Sequence, residues 1–133
     1  MNEEFTDIND LIIAYFSLAI KIFKIYKPTK TKRKKLQGSK DLSHDYFYAF
    51  LIGQIGRNDS YSKEEIDGDK IFDYIYGILK IVHKHIGGRI ILIECDNKRL
   101  KEYYNSKGFN DLQEIIKDKI TYYQLIKTIK KIY

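Results

Sequence analysis

The phenol of Tyr104, a carboxylate beside a thiol, Glu94 and Cys95, and the polar residues Gln54, Arg57, Asn58 and Asn97 have the side-chain types that could move protons or hold a ligand. Tyr104 follows Leu100 by four residues, a helical spacing that by itself suits a packed aromatic. Glu94 could take a proton directly or through water, or be a solvated strand residue paired with nearby lysines. Gln54 and Asn58 read equally as ligand contacts and as strand-end hydrogen-bonding groups, and Arg57 as a phosphate contact or an exposed cation. Cys95 lies in an apolar run with no histidine near it in sequence, which suits an inert core thiol better than a nucleophile.

Cys95 is the only cysteine, so an intramolecular disulfide is excluded and a thiolate zinc site is implausible. Of the histidines, His44, His83 and His85, the last two are two residues apart and would point in different directions on a helix. No metal site is expected.

These residues need elements to position them. Leu11 to Ile25 is dense in β-branched and aromatic residues and reads as one long strand or two strands with a tight turn, a helix being the alternative. Lys24 to Lys35 holds six lysines and one arginine with no acid, and with Pro28 and its threonines it reads as a loop. Tyr46 to Gly56 is a nearly continuous apolar run with two glycines, the pattern of a central strand buried on both faces and locally bulged. From Asp67 to Ile86 the positions Ile71, Ile75, Ile78, Leu79, Val82 and Ile86 follow helical spacing, with Asp67 as N-cap and Gly87 and Gly88 as the stop. Arg89 to Cys95 reads as a buried strand, Asn97 to Ser106 as a short helix closed by Gly108, and Ile120 to Ile129 as a final strand. A strand, helix, strand order can place two parallel neighbours in one sheet, which makes an α+β or α/β domain.

The 133 residues, 44% hydrophobic and 32% charged, suit a single domain spanning 1–133. No apolar run long enough to span a bilayer is present and the start, MNEEFTDIND, is acidic, so a cytoplasmic protein without membrane contact is expected. The net charge of +6 favours polyanionic partners, although the basic run reads first as a wet connection and only second as a nucleic-acid or CoA-phosphate contact. The load of Lys, Ile, Tyr and Asn matches A/T-rich coding, as in low-GC bacteria and their mobile elements.

The segment Gly87 to Phe109, GGRIILIECDNKRLKEYYNSKGF, combines a strand, an Asn-bearing turn and a helix ending in an aromatic, a Tyr, three residues, Gly and Phe. It resembles the second half of the core of the GNAT superfamily of N-acetyltransferases. YFYAFLIGQIGRND resembles that superfamily's central strand, AYFSLAIK its preceding strands and YYQLIKTI its closing strand, as in bacterial and phage members related to toxin acetyltransferases. The resemblance runs from about Ile12 onward and implies an α+β fold with a mixed central sheet flanked by helices. It departs from the family in two places. Where the family has a basic residue or Gln, two residues, Gly, one residue and Gly or Ala, this chain has Lys63, Glu64, Glu65, Ile66, Asp67 and Gly68, so a degenerate pyrophosphate loop is expected. Only about ten residues precede the first strand, where the family has a strand and two helices, so a truncated or minimal form is expected, with a homodimer as one source of the missing wall.

The resemblance implies acetyl transfer from acetyl-CoA, as co-substrate, to a primary amine on a protein, a small molecule or an aminoacyl-tRNA. It places the pantetheine along Ile52, Gln54, Ile55, Gly56 and Arg57, and the phosphates near Lys63, Gly68 and Asp69. Asn97 would contact the pantetheine arm or an ordered water. Tyr104 would return a proton to the CoA sulfur, which is chemically reasonable because phenol and thiol pKa values lie within about two units. Glu94 would be the base, and an antitoxin-like protein or tRNA a partner. The alternative is a catalytically inactive GNAT-like module that binds a protein or nucleic acid. A basic nucleic-acid-binding domain unrelated to this family is a third reading, and it predicts steep salt dependence centred on Lys32 to Lys35.

Overall fold

A run such as Ile90 to Cys95, in which Ile90, Ile91 and Leu92 have no exposed surface, can satisfy its backbone only between two neighbouring strands. In the computed structural model of the protein, which describes residues 14–26, 30–37, 46–57 and 67–133, it has both. Five strands form one sheet among the described residues: β1 (Ala14–Lys24), β2 (Tyr46–Arg57), β3 (Ile90–Cys95), β4 (Asn110–Lys117) and β5 (Ile120–Thr128), in the order β1-β2-β3-β5-β4. β3 runs parallel to β2 and antiparallel to β5, while β1 pairs with β2 and β4 with β5 in antiparallel fashion. The helices among the described residues are α1 (Lys30–Gln37), α2 (Gly68–Ile86) and α3 (Lys98–Ser106), and Ile129–Ile132 forms a 3-10 turn after β5. None of the described helices is long and apolar enough to cross a membrane.

Each face of the sheet has its own core. Phe50, Ile52, Ile91 and Ile93 point to the face covered by Ile71, Phe72, Ile75 and Leu79 of α2. Phe47, Ala49, Ile90, Leu92 and Ile126 point to the other, where Leu36 of α1 packs. The helical spacing located the α2 seam, but Ile78 and Ile86 are exposed and Phe72 takes part instead. Asp67 caps α2 through Lys70 N at 2.9 Å, and Gly87 N donates to His83 O at 2.9 Å at the other end.

Two readings of the sequence are corrected. The basic stretch is not all loop: Lys30–Gln37 is α1, because straight-chain Lys, Arg, Leu and Gln are helix formers and burying Leu36 anchors the turn. A strand was also missed. β4 carries Asn, Asp, Gln and Glu, which strands disfavour, and a bulge at Leu112 breaks its alternation. Its link to β5 is a two-residue turn with Asp118 and Lys119 at φ 52° and 65°, a left-handed pair for which the sequence lacks the usual glycine.

On the α1 face a polar chain crosses the sheet. Lys21 Nζ lies 2.7 Å from Glu94 Oε1, Gln124 Nε2 donates to Glu94 Oε2 at 2.8 Å, and Gln113 Nε2 donates to Gln124 Oε1 at 2.7 Å. Gln113 continues to the backbone at the end of β1 and just past it, donating to Lys24 O and accepting from Tyr26 N. Gln124 is only 1% exposed, so every link matters energetically.

Gln124→Leu strips a half-buried oxygen of Glu94 and an N–H of Gln113 of their partner; urea denaturation is expected to show a loss of about 1–3 kcal/mol. At the hairpin, Lys119→Gly should hold or raise the denaturation midpoint, while Lys119→Val should lower it by roughly 1 kcal/mol or more, since a left-handed β-branched residue is strained.

Candidate functional site

β2 and β3 are in register only from Phe50↔Ile91 to Ile52↔Ile93. Past that point β2 runs on beside β1 and β3 beside β5. The separation coincides with a bulge: Phe16 pairs with Ile55 and Leu18 with Ile52, so Gly53 and Gln54 together face Ser17. Gln54 N donates to Ser17 Oγ at 3.0 Å, and a Cβ on Gly53 would collide with that hydroxyl. Such a bulge bends and twists its strand. The crevice it opens lies outside the carboxyl ends of two parallel strands, where open sheets of this kind bind ligands.

Two adjoining cavities occupy the crevice and share Leu100 as a wall. The first, of about 730 Å³, lies between Ile55 and Gly56 of β2, the start of α2 at Asp67, Gly68, Asp69 and Ile71, and Asn97, Arg99, Tyr103 and Lys107 on and around α3. The second, of about 570 Å³, holds Lys21, Glu94, Cys95, Asp96 and Tyr104, and is closed by Ile115, Lys117, Asp118 and Tyr122 of the β4–β5 hairpin.

The end of α3 explains how Tyr104 is aimed. Phe109 N donates to Tyr104 O at 3.1 Å and Gly108 N to Asn105 O at 3.0 Å, the two bonds of a Schellman stop, with Gly108 at φ 93° supplying the left-handed residue. Phe109, 1% exposed, is thereby turned into the core, and Tyr104 packs edge-on against it at 6.4 Å and against Phe72 at 6.3 Å. Tyr104 is thus both a packed aromatic and a cavity wall. Burial pushes its pKa above the ordinary tyrosine value, with Cys95 and Tyr103 adding to the effect, so the neutral phenol is favoured. Burial likewise raises the Cys95 thiol, against a backbone hydrogen bond from Asn97. A buried thiol held neutral is a poor nucleophile.

At the start of α2 the positive end of the helix is answered by the chain's own acids. Asp67 caps it, and Asp69 in its first turn pairs with Lys107. Asn97 Oδ1 accepts from Leu100 N at 2.8 Å, so its oxygen is used in capping α3 while the residue lines the first cavity. No cluster of three or more metal-ligating side chains occurs among the described residues.

The structure brings Ile55, Gly56, Gly68, Asp69 and Asn97 to one cavity and Glu94 and Tyr104 to the next. Ile52 differs from expectation: its side chain is 1% exposed in the α2-side core, so only its backbone could meet a ligand. Gln54 is exposed and lines neither cavity. Lys63, Asn58 and the Arg57 side chain lie outside the described residues. Sequence reasoning did not single out Tyr103, Arg99, Lys107, Lys21 or Tyr122, and only the helical placement of Tyr103 and Lys107 around Tyr104 offered a signal.

Neither family models nor curated sequences give a match to this chain. Solved structures do. A crystal structure of a KacT mutant superposes with TM-score 0.66 at 18% identity, over 90% of this chain and 64% of that one. One described as a bacterial toxin gives 0.64 at 19% identity, over 90% and 62%. AtaTR bound with acetyl-CoA gives 0.60 at 17% identity, over 90% and 63%. The chain spans less than two thirds of the length of these structures. What it shares with them is its fold, a GNAT-like α+β arrangement with a mixed central sheet flanked by helices.

Proposed function

We propose that this chain is a single-domain, cytoplasmic bacterial N-acetyltransferase that transfers an acetyl group from acetyl-CoA to a primary amine. The observation that carries the reading is the bulged separation of β2 from β3, which opens one cavity onto the start of α2 and an adjoining one onto Tyr104 and Glu94. The pantetheine would lie along Ile55 and Gly56 of β2, where a backbone N–H polarises the thioester carbonyl. The phosphates would approach Gly68, with Lys63 as a further contact. The acceptor amine would enter beside the β4–β5 hairpin and attack the carbonyl. Collapse of the adduct releases the thiolate, which takes the Tyr104 proton. Glu94, held by Lys21 and Gln124, would receive the amine proton through water.

Related structures support the choice of donor and partner, since they include the AtaT toxin with acetyl-CoA and the C-terminus of the antitoxin AtaR, and a KacTA–DNA complex. By this reading the chain has an antitoxin-like protein partner, and a homodimer or an aminoacyl-tRNA acceptor belongs to the same proposal. The second reading, an inactive module binding a protein or nucleic acid, draws on Asp67 and Asp69 at the start of α2, where they oppose phosphate.

Thermal unfolding with and without acetyl-CoA separates the two: at a hundred times its dissociation constant a ligand adds about 2.7 kcal/mol of stability. No shift at millimolar acetyl-CoA would remove the enzyme reading. Tyr104→Phe should keep the shift yet lower kcat about 10²–10⁴-fold, the usual worth of a general acid. Because the acid must be protonated and its pKa is raised, wild-type activity should persist to pH values above the ordinary tyrosine range before falling. That alkaline limb should vanish in Tyr104→Phe.

A further inference from the structure

Tyr103, one residue before the proposed proton donor, reaches across the first cavity to the start of α2. Its hydroxyl lies so close over Gly68 that a Cβ there would collide with it. Lys107 lies over the ring: its ammonium is 5.4 Å from the ring centroid and pairs with Asp69 in the first turn of α2. Tyr104 packs edge-on against the same ring at 5.6 Å. The space over the small residue at the helix start is therefore filled by a phenol, in a wall that also carries Asp67 and Asp69.

We propose that Tyr103 is a displaceable plug in the donor site, standing where the diphosphate of a nucleotide-bearing thioester must come, closed while Lys107 pairs with Asp69 and open in the minority of molecules in which that pair has parted, the state the diphosphate captures. The inference rests on the acetyltransferase reading and adds to it a determinant of donor choice. Tyr103 is 40% exposed, so rotating it outward uncovers little additional surface, and Lys107 can exchange one anion for another. Thioesters without a diphosphate reach the second cavity past the plug, whereas CoA thioesters must displace it. The apparent affinity for the latter is lowered by the fraction of molecules in which the plug is closed.

Calorimetric titration of acetyl-CoA and of S-acetyl-pantetheine into wild type and Tyr103→Ala tests this. The expected result is an acetyl-CoA dissociation constant about tenfold lower in Tyr103→Ala, the factor for a plug closed roughly nine-tenths of the time, with the pantetheine thioester unchanged. Equal or weaker acetyl-CoA binding by the variant overturns the plug alone, as does an equal gain for both donors. Absence of acetyl-CoA binding by both proteins overturns the acetyltransferase reading and the plug with it. Because the chain has no tryptophan, Tyr103→Trp provides a second readout. Its emission should change on adding inorganic pyrophosphate or acetyl-CoA but not S-acetyl-pantetheine, and an unchanged emission with acetyl-CoA bound overturns the plug.

Discussion

The parallel contact between β2 and β3 lasts three residue pairs, and the arrangement of the rest follows from where it stops. Parallel strands cannot be joined by a tight turn, so the chain between them must leave the sheet, and it does so through the nineteen-residue α2. With both strands buried in their middle, the pairing is fixed by the cores on the two faces. Two residues of β2 opposite one of β1 then release the strand from β3. Had Gly53 carried a side chain it would have met the Ser17 hydroxyl, so the bulge depends on that glycine lying against β1.

Around the crevice, packing and chemistry draw on the same residues. The Schellman stop at Gly108 buries Phe109, and the buried ring fixes Tyr104 against Phe72. The spacing of tyrosine, glycine and phenylalanine is thus a device for ending a helix as well as for presenting a phenol. A packed phenol in the cavity wall is also a partly desolvated one, which accounts for its raised pKa.

Charge is distributed with less uniformity than the net +6 suggests. Glu94 is half-buried with Lys21 and Gln124 as partners, and the acids at the start of α2 are met by the helix N-terminus and Lys107. A carboxylate in either place is tolerable because its partner comes from a distant part of the chain: Lys21 is seventy-three residues from Glu94 and Lys107 thirty-eight from Asp69.

The local interactions were legible in the sequence. Asp67 caps α2 through its third neighbour, Gly87 and Gly108 end helices, and Arg89 to Cys95 is apolar enough to be read as an interior strand, whereas Asn97, read as a ligand contact, proved to cap α3. The order of the remaining elements followed from the succession of these periods, without α1 and β4, and the likeness to the GNAT fold from the motif that ends at Phe109. Tertiary structure decided what local preference could not. It anchored α1, whose residues are helix formers, by burying Leu36, and it made β4 a strand by pairing it with β5 despite a polar composition. It withdrew the Ile52 side chain from the crevice and brought Tyr103 to Gly68 across thirty-five residues of chain. Caps and periodic faces act over a few residues and are written in the sequence, whereas cavity walls are assembled from segments that meet only once the sheet has formed.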